Sequence, residues 1–303
     1  MTSLKVTLAG IKMSNPTMLA SGMMGETGAS LARAADQGAG AVVTKSIGSE
    51  PRNGYKNPTI FECESYFVNA MGLPGPGIEE FGREMEEAKR GKVPIIGSIF
   101  ASSPQEFARL AVKMEEHGAA GVELNLSCPH AKGYGMEMGI DPEMVGKIVR
   151  EVKSAVKVPV FSKLTPNTHR LIEVAKAVEG AEGDGVVAIN TLKAMAISVE
   201  FRRPVLSNRY GGLSGPAVKP VGLRCVYDLH DNIDIPIIGV GGISDWRDAM
   251  EYIMAGASAI QVGSAIATRG LGVFGEITKG MDAYMEEAGC HDLRELVGVA
   301  HER

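Results

Sequence analysis

Aromatic side chains make up only 5% of the 303 residues, with a single tryptophan, so aliphatic and small side chains must build the core. Cysteine is scarce too. Cys63, Cys128, Cys225 and Cys290 stand far apart, with no C-x-x-C pair and no Cys/His spacing of the zinc or iron–sulfur kind, so no metal site is expected. No stretch approaches 18 apolar residues, and the opening MTSLKVTLAG meets a polar residue every second or third position. A signal peptide and a spanning helix are thereby excluded, and a reducing cytoplasm is the expected location. Basic runs are also missing: 31 Lys and Arg stand against 36 Asp and Glu, a net charge of −5. That balance argues against a nucleic-acid or anionic-membrane partner. What is abundant is glycine, 38 residues, in a chain that is 45% hydrophobic and 22% charged. Such a chain buries roughly three quarters of its unfolded surface, and its glycines favour many tight strand-to-helix turns.

Residues 5 to 14 alternate in polarity around Gly10 and read as a small hairpin that would close the bottom of the fold. Short apolar runs then recur at TMLAS (17–21), AVVTK (41–45), PIIGS (94–98), GVELN (121–125), PVFSK (159–163), GVVAIN (185–190), PIIGV (236–240) and AIQVG (259–263). Eight buried strands are predicted. Amphipathic helices fall between them. Ser103-Pro104-Gln105-Glu106 reads as a capping box before the stripe Phe107, Leu110, Ala111, Met114. Asp141-Pro142 opens a helix carrying Val145, Ile148, Val149 and Val152, and Leu171, Val174, Ala175 and Val178 form a third stripe. Eight strands alternating with helices, with no linker, predict a single (β/α)8 TIM barrel domain over residues 1–303. A plain unit takes about 25 residues here, and the surplus follows the second, fourth and sixth strands. In such a barrel these insertions emerge at the C-terminal face, where active sites are built.

The strands end in Ser21, Lys45, Ser98, Asn125, Lys163, Asn190, Gly241 with Gly242, and Gly263 with Ser264. A polar strand end can simply meet water. A lysine in a barrel mouth loses hydration, so either a structural ion pair or an anion or electron-rich ring must compensate it. Glycines in GVGGIS (239–244), VGSA (262–265) and the Gly-rich loop GGLSGPA (211–217) would let backbone N–H groups approach a phosphate. In ELNLSCPHAKGYG (123–135), Cys128 is a small buried hydrophobe, a nucleophile or a proton-transfer group. Ser127, Asn125 and His130 stand close enough in sequence to tune it, and His130 is as readily a surface residue. Cys63, Cys225 and Cys290 are assigned to packing. In VNAMGLPGPG (68–77), Asn69 offers an amide and Met71-Gly72-Leu73 can present consecutive N–H groups to a carboxylate. Asn190-Thr191 adds the same polar vocabulary. Such a lining suits a small planar anion with amide groups; a polar turn that binds no ligand is the alternative.

Taken together, TKSI, NAMGLPGPG, ELNLSCPH, SKLTPN, INT, GGLSGPA, GVGGI and QVGSA, in order over nearly the whole chain, resemble the dihydroorotate dehydrogenases of class 1. Within that class the chain is most similar to the catalytic subunit of the NAD-linked class 1B branch. The resemblance implies a barrel that holds flavin mononucleotide (FMN) and oxidises (S)-dihydroorotate to orotate in pyrimidine biosynthesis. It implies that Cys128 removes the C5 proton while hydride leaves C6 for the flavin N5, base and flavin lying on opposite faces of the substrate ring. Lys45 would stabilise negative charge at the flavin N1/O2 edge and approach the substrate carboxylate, and Lys163 would hold the flavin from another side. The implied substrate cradle is Lys45, Asn69, Ala70, Met71, Gly72, Leu73, Asn125, Asn190 and Thr191. The implied flavin contacts are Ser21, Lys45, Ser46, Asn125, Lys163, Ile189, Gly215, Gly241, Gly242, Gly263 and Ser264. By the same resemblance the partners would be a second copy and, in a heterotetramer, an electron-transfer subunit carrying FAD and a [2Fe–2S] cluster.

Two positions depart from the family pattern. Ser98 stands where relatives often place asparagine, which puts one flavin contact in question. His130 follows Cys-Pro where many relatives carry asparagine, and the run after it resembles the flavin domain of dihydropyrimidine dehydrogenase. A dihydrouracil-type substrate is therefore the nearest rival, against which the carboxylate-suited NAMGLPG cradle favours dihydroorotate. A tRNA-dihydrouridine-type flavoenzyme would need a basic docking surface or an added RNA-binding domain. A non-catalytic phosphate-binding scaffold is the remaining alternative.

Overall fold

The computed structural model describes residues 2–126 and 138–301. Strands β1 (Thr17–Leu19), β2 (Ala41–Val43), β3 (Ile95–Ile99), β4 (Gly121–Asn125), β5 (Val160–Lys163), β6 (Gly185–Ala188), β7 (Ile237–Val240) and β8 (Ala259–Val262) pair in parallel. They follow chain order around a closed barrel, with β8 bonded to β1. Helices α1 (Gly28–Asp36), α2 (Ile78–Ala88), α3 (Pro104–Glu116), α4 (Pro142–Ala155), α5 (Leu171–Glu179), α6 (Lys219–His230) and α7 (Trp246–Met254) each follow one strand, and α8 (Ala265–Arg269) and α9 (Val273–Ala288) follow β8. This is the (β/α)8 barrel expected from the strand rhythm.

The hairpin is present as Val6–Leu8 and Ile11–Met13. Ala9 (φ 47°) and Gly10 (φ 89°) turn it through two left-handed residues, the twist that suits a two-residue antiparallel loop. Leu8, Ile11 and Met13 pack with Met18, Val43, Ile96, Phe161, Val187 and Ile238 from the strands. They form an apolar plug at the N-terminal end of the barrel. A larger core lies outside the strands, where Leu31, Phe81, Leu110, Val149, Val174, Val226, Ile253 and Phe274 bring the helix stripes onto the barrel.

The helix starts largely follow their sequence signals. Ser103 accepts a bond from Glu106 N, and Asp141 caps α4 through Glu143 N. Glu106 does not complete the expected box. Its carboxylate reaches Ser102 N and Oγ at 2.8 and 2.7 Å and Ser49 Oγ at 2.8 Å, tying α3 to the segment after β2. Burial works against its charge, yet these bonds hold its carboxyl below the ordinary range.

Several boundaries differ from the expectation. β1, β2 and β6 end at Leu19, Val43 and Ala188, two residues early, so Ser21, Lys45 and Asn190 begin loops. β3 runs on to Ile99, which leaves Ser98 inside the strand. The loop expected at GGLSGPA is partly a strand. Gly211–Ser214 pairs with Leu192–Ala194 on one side and Tyr66–Asn69 on the other, and Ile60–Cys63 completes a four-stranded antiparallel sheet. The insertions after β2 and β6 are therefore one structure. A Cβ on Gly212 would lie 2.1 Å from Thr191 Oγ1, and one on Gly211 2.6 Å from the Asn69 carbonyl oxygen. Close packing of the sheet explains these two glycines without a phosphate. Of the cysteines assigned to packing, Cys225 is buried in α6, Cys290 is half-buried, and Cys63 is exposed, because its strand is at the sheet's edge.

Candidate active site

The C-terminal ends of the strands gather most of the expected polar residues into one hydrogen-bonded ring. Ser46 Oγ lies 2.8 Å from Ser98 Oγ and 3.3 Å from Ser21 Oγ, and accepts a bond from Asn125 Nδ2 at 3.0 Å. Asn190 Nδ2 reaches Asn125 Oδ1 at 3.5 Å, and Asn190 Oδ1 receives the Thr191 N–H at 2.8 Å. Five strand ends are thus joined, from β1 to β6. Ser98 is fully buried in this ring, with its own N–H donating to Thr44 Oγ1. It takes part in positioning Ser46 whatever contact it gives up to a ligand.

Lys45 is 8% exposed and its Nζ lies 3.2 Å from Glu26 Oε1, on the loop after β1. Lys163 is 6% exposed and donates to Gln261 Oε1 at 2.8 Å. Gln261 Nε2 donates in turn to Glu123 Oε2 at 2.7 Å, and Glu123 Oε1 lies 3.7 Å from Lys163 Nζ. Both lysines therefore have a carboxylate neighbour, the structural alternative that the sequence left open. Glu26 is largely solvated, however, while Glu123 is buried, so the two pairs differ in electrostatic strength.

Asn69 ends its strand in the insertion sheet, its amide 3.4 Å from the Gly212 carbonyl. Ala70 is buried, Met71 exposed, and Gly72 (φ 76°) and Leu73 (φ 55°) turn left-handed in succession. The carbonyl of Met71 accepts from Tyr55 N. Among the described residues, no hydrogen bond uses the N–H groups of Met71, Gly72 and Leu73. That leaves three adjacent donors for a ligand carboxylate. Thr191 stands behind Asn190, and its carbonyl accepts from Asn167 Nδ2 at 3.0 Å.

On the other side of the mouth, Gly241 (φ 132°) and Gly242 (φ 71°) follow β7. A Cβ on Gly242 would sit 2.8 Å from Lys219 N and 2.9 Å from the Gly215 carbonyl oxygen, which brings Gly215 into the same corner. Ile189 packs beside Gly241, and its N–H donates to the Val240 carbonyl at 2.9 Å. Tyr252 donates to the Gly241 carbonyl at 2.7 Å. Burial pushes that phenol far above its usual range, so the hydroxyl stays a donor. Gly263 and Ser264 follow β8 and lead into α8. Cys128, Ser127 and His130 lie outside the described residues. Among the described residues no cluster of three metal-ligating side chains occurs, and no helix is long and apolar enough to cross a membrane.

Sequence reasoning missed Glu26, Glu123, Gln261, Asn167 and Tyr252. A signal existed for two of them: Glu123 precedes Asn125, and Gln261 precedes Gly263, by two residues, the period that puts side chains on one face of a strand. A charged and an amide residue inside otherwise apolar strands mark inward positions.

A parallel eight-stranded barrel with two inward lysines, an amide and hydroxyl network, and paired glycines at β7 has the architecture of the (β/α)8 enzymes, whose active sites are built at the C-terminal face. The comparison with known proteins narrows this. The family model described as dihydroorotate dehydrogenase matches residues 3–285, and the chain belongs to that family. Its members are in general flavin-dependent. The chain is 54% identical over 303 residues, covering 100% of both sequences, to the "Dihydroorotate dehydrogenase B (NAD(+)), catalytic subunit" of Thermoplasma volcanium. To the proteins of the same description from Pyrococcus furiosus and Methanocaldococcus jannaschii it is 53% and 51% identical, covering 98% and 99% of this chain and 99% and 98% of theirs.

Proposed function

We infer that this chain oxidises (S)-dihydroorotate to orotate, in the biosynthesis of pyrimidines, with FMN held at the mouth of the barrel. The observation that carries the reading is the hydrogen-bonded network Ser21, Ser46, Ser98, Asn125, Asn190 and the Thr191 N–H, in a barrel mouth that also holds two buried lysines. The residues present fit FMN. At Gly241 and Gly263 an added Cβ would meet nothing closer than 3.4 Å, which leaves room for a phosphate approached by backbone N–H groups; Gly242 is packed against the chain's own Lys219 N and Gly215 carbonyl. Lys163 offers a buried ammonium to a ring that gains negative charge on reduction. Ser21, Ser46, Ile189, Gly215, Gly263 and Ser264 would line the remainder.

Bound FMN supplies the two-electron acceptor for the hydride that leaves C6. The chain supplies the proton chemistry and the alignment. Cys128 takes the proton from C5 as the C5=C6 double bond forms, so one proton and one hydride leave together. Lys45 faces the charge that develops on the ring and the carboxylate. The N–H groups of Met71, Gly72 and Leu73 take the carboxylate, next to Asn69 and Ala70, while Asn125, Asn190 and Thr191 hold the ring amides. The relatives' description as a catalytic subunit supports a partner. We assign that role to an FAD and [2Fe–2S] subunit joined to a homodimer of this chain; NAD+ reduction that is independent of added partner would refute it.

The test is anaerobic mixing of the flavin-loaded protein with dihydroorotate and, separately, with dihydrouracil, following loss of the flavin absorbance. Dihydroorotate alone should bleach it. Bleaching by dihydrouracil alone would transfer the enzyme to the reduced-uracil class. Cys128→Ala should retain FMN and lose roughly 10²- to 10⁴-fold in turnover; undiminished turnover would remove Cys128 from the reaction.

A further inference from the structure

Glu123 lies on β4, two residues before Asn125, and is 1% exposed. Its Oε2 is engaged by Gln261, while Oε1 has no hydrogen-bond partner and lies 3.7 Å from Lys163 Nζ. Gln261 separates the charges in a fixed sense, with NH₂ toward the carboxylate and carbonyl toward the ammonium. Reversing the amide would set donor against donor and acceptor against acceptor. Lys163 donates one hydrogen bond among the described residues, which leaves two N–H groups for a ligand. Just beneath this row the barrel is filled by Phe161, Val43, Val187 and Ile238. A buried ion pair adds little stability over an apolar packing of similar volume, so stability alone does not account for a charged row there.

We propose that Glu123 is a positioning residue which, through Gln261, fixes the place and the net charge of the Lys163 ammonium and thereby tunes how readily the bound flavin takes up electrons. The inference rests on FMN occupying the mouth. The carboxylate partly cancels the ammonium, so the flavin meets less positive charge than Lys163 alone would give. Gln261 transmits the position and keeps the pair from collapsing into direct contact.

The experiment is the midpoint potential of the flavin-loaded protein in Glu123→Gln and Lys163→Gln, each beside wild type. Removing the negative charge should move the potential positive, and removing the positive charge of Lys163 should move it negative. A roughly tenfold change in the ratio of reduced- to oxidised-flavin affinity is expected in each, which is about 30 mV for a two-electron couple. Glu123→Asp, which keeps the charge, should restore the wild-type value. Loosened packing would move all variants the same way, or none, and either result overturns the proposal. Should Glu123→Gln not fold, an unchanged potential in Lys163→Gln is enough to overturn it. A flavin-loaded wild type that dihydroorotate does not bleach defeats the substrate assignment and leaves these opposite shifts to stand or fall alone. A wild type that takes up no flavin defeats both.

Discussion

Gly242 and Gly289 share a left-handed φ of 71° but not their surroundings. An added Cβ meets nothing within 4 Å at Gly289, while at Gly242 it meets Lys219 N and the Gly215 carbonyl. Backbone penalty and crowding can therefore be separated. Gly289→Ala should cost about 1 kcal/mol, the penalty of the left-handed region alone. Gly242→Ala should cost about 1–3 kcal/mol more and weaken FMN retention. Thermal unfolding with and without added FMN measures both, and equal losses would deny the corner its special fit. The same scale shows why lysines are easier to read than their partners. Lys45 and Lys163 announce themselves by following apolar runs, but Glu26 lies 19 residues from Lys45 and Gln261 98 from Lys163. Only the folded chain sets those distances.

Helix α7 shows how an element is held at the rim of the mouth. Asp245 caps it and Asp248 returns the bond to the Asp245 N–H, a full capping box. Asp248 also accepts from Ser244 N and Oγ and from Lys219 Nζ, the last at 2.7 Å. Burial opposes its charge, but Lys219 and Ser244 outweigh that and hold the carboxyl below its usual value. In acid the unfolded chain therefore binds the proton first. The stabilisation is present above the unfolded carboxylate pKa, about 3.9, and is lost as pH falls through the lower folded value. Asp248→Asn should cost about 1–2 kcal/mol at pH 7 and less near pH 3. Urea unfolding at the two pH values checks this, and a loss independent of pH would separate Asp248 from acid sensitivity.

Across the molecule, the two chain ends are tied together. Ser3 N donates to the His291 carbonyl at 2.9 Å, and Leu293 N to that of Ser3 at 3.2 Å. With the outer core running unbroken through all the long helices, we propose that residues 1–303 form one unit that unfolds in one step. The single tryptophan, Trp246, packs at the start of α7 against α9, close to Gly280. Its fluorescence and the far-ultraviolet circular dichroism should lose signal together on heating. Two separated transitions would divide the chain into independent parts.

The barrel, the number and order of its strands, the face that carries the insertions and the polar residues at its mouth are all legible in the amino-acid sequence. These are local properties: a run of apolar residues, a cap, a turn and a spacing are each written within about 25 residues. Tertiary structure alone decided that the insertions after β2 and β6 share one sheet and that Glu123, Gln261 and Lys163 form one buried row. Periodicity orients a side chain only relative to its own strand. Which residues then meet across the interior depends on closure of the barrel, where Glu123 and Gln261, 138 positions apart, come within a hydrogen bond.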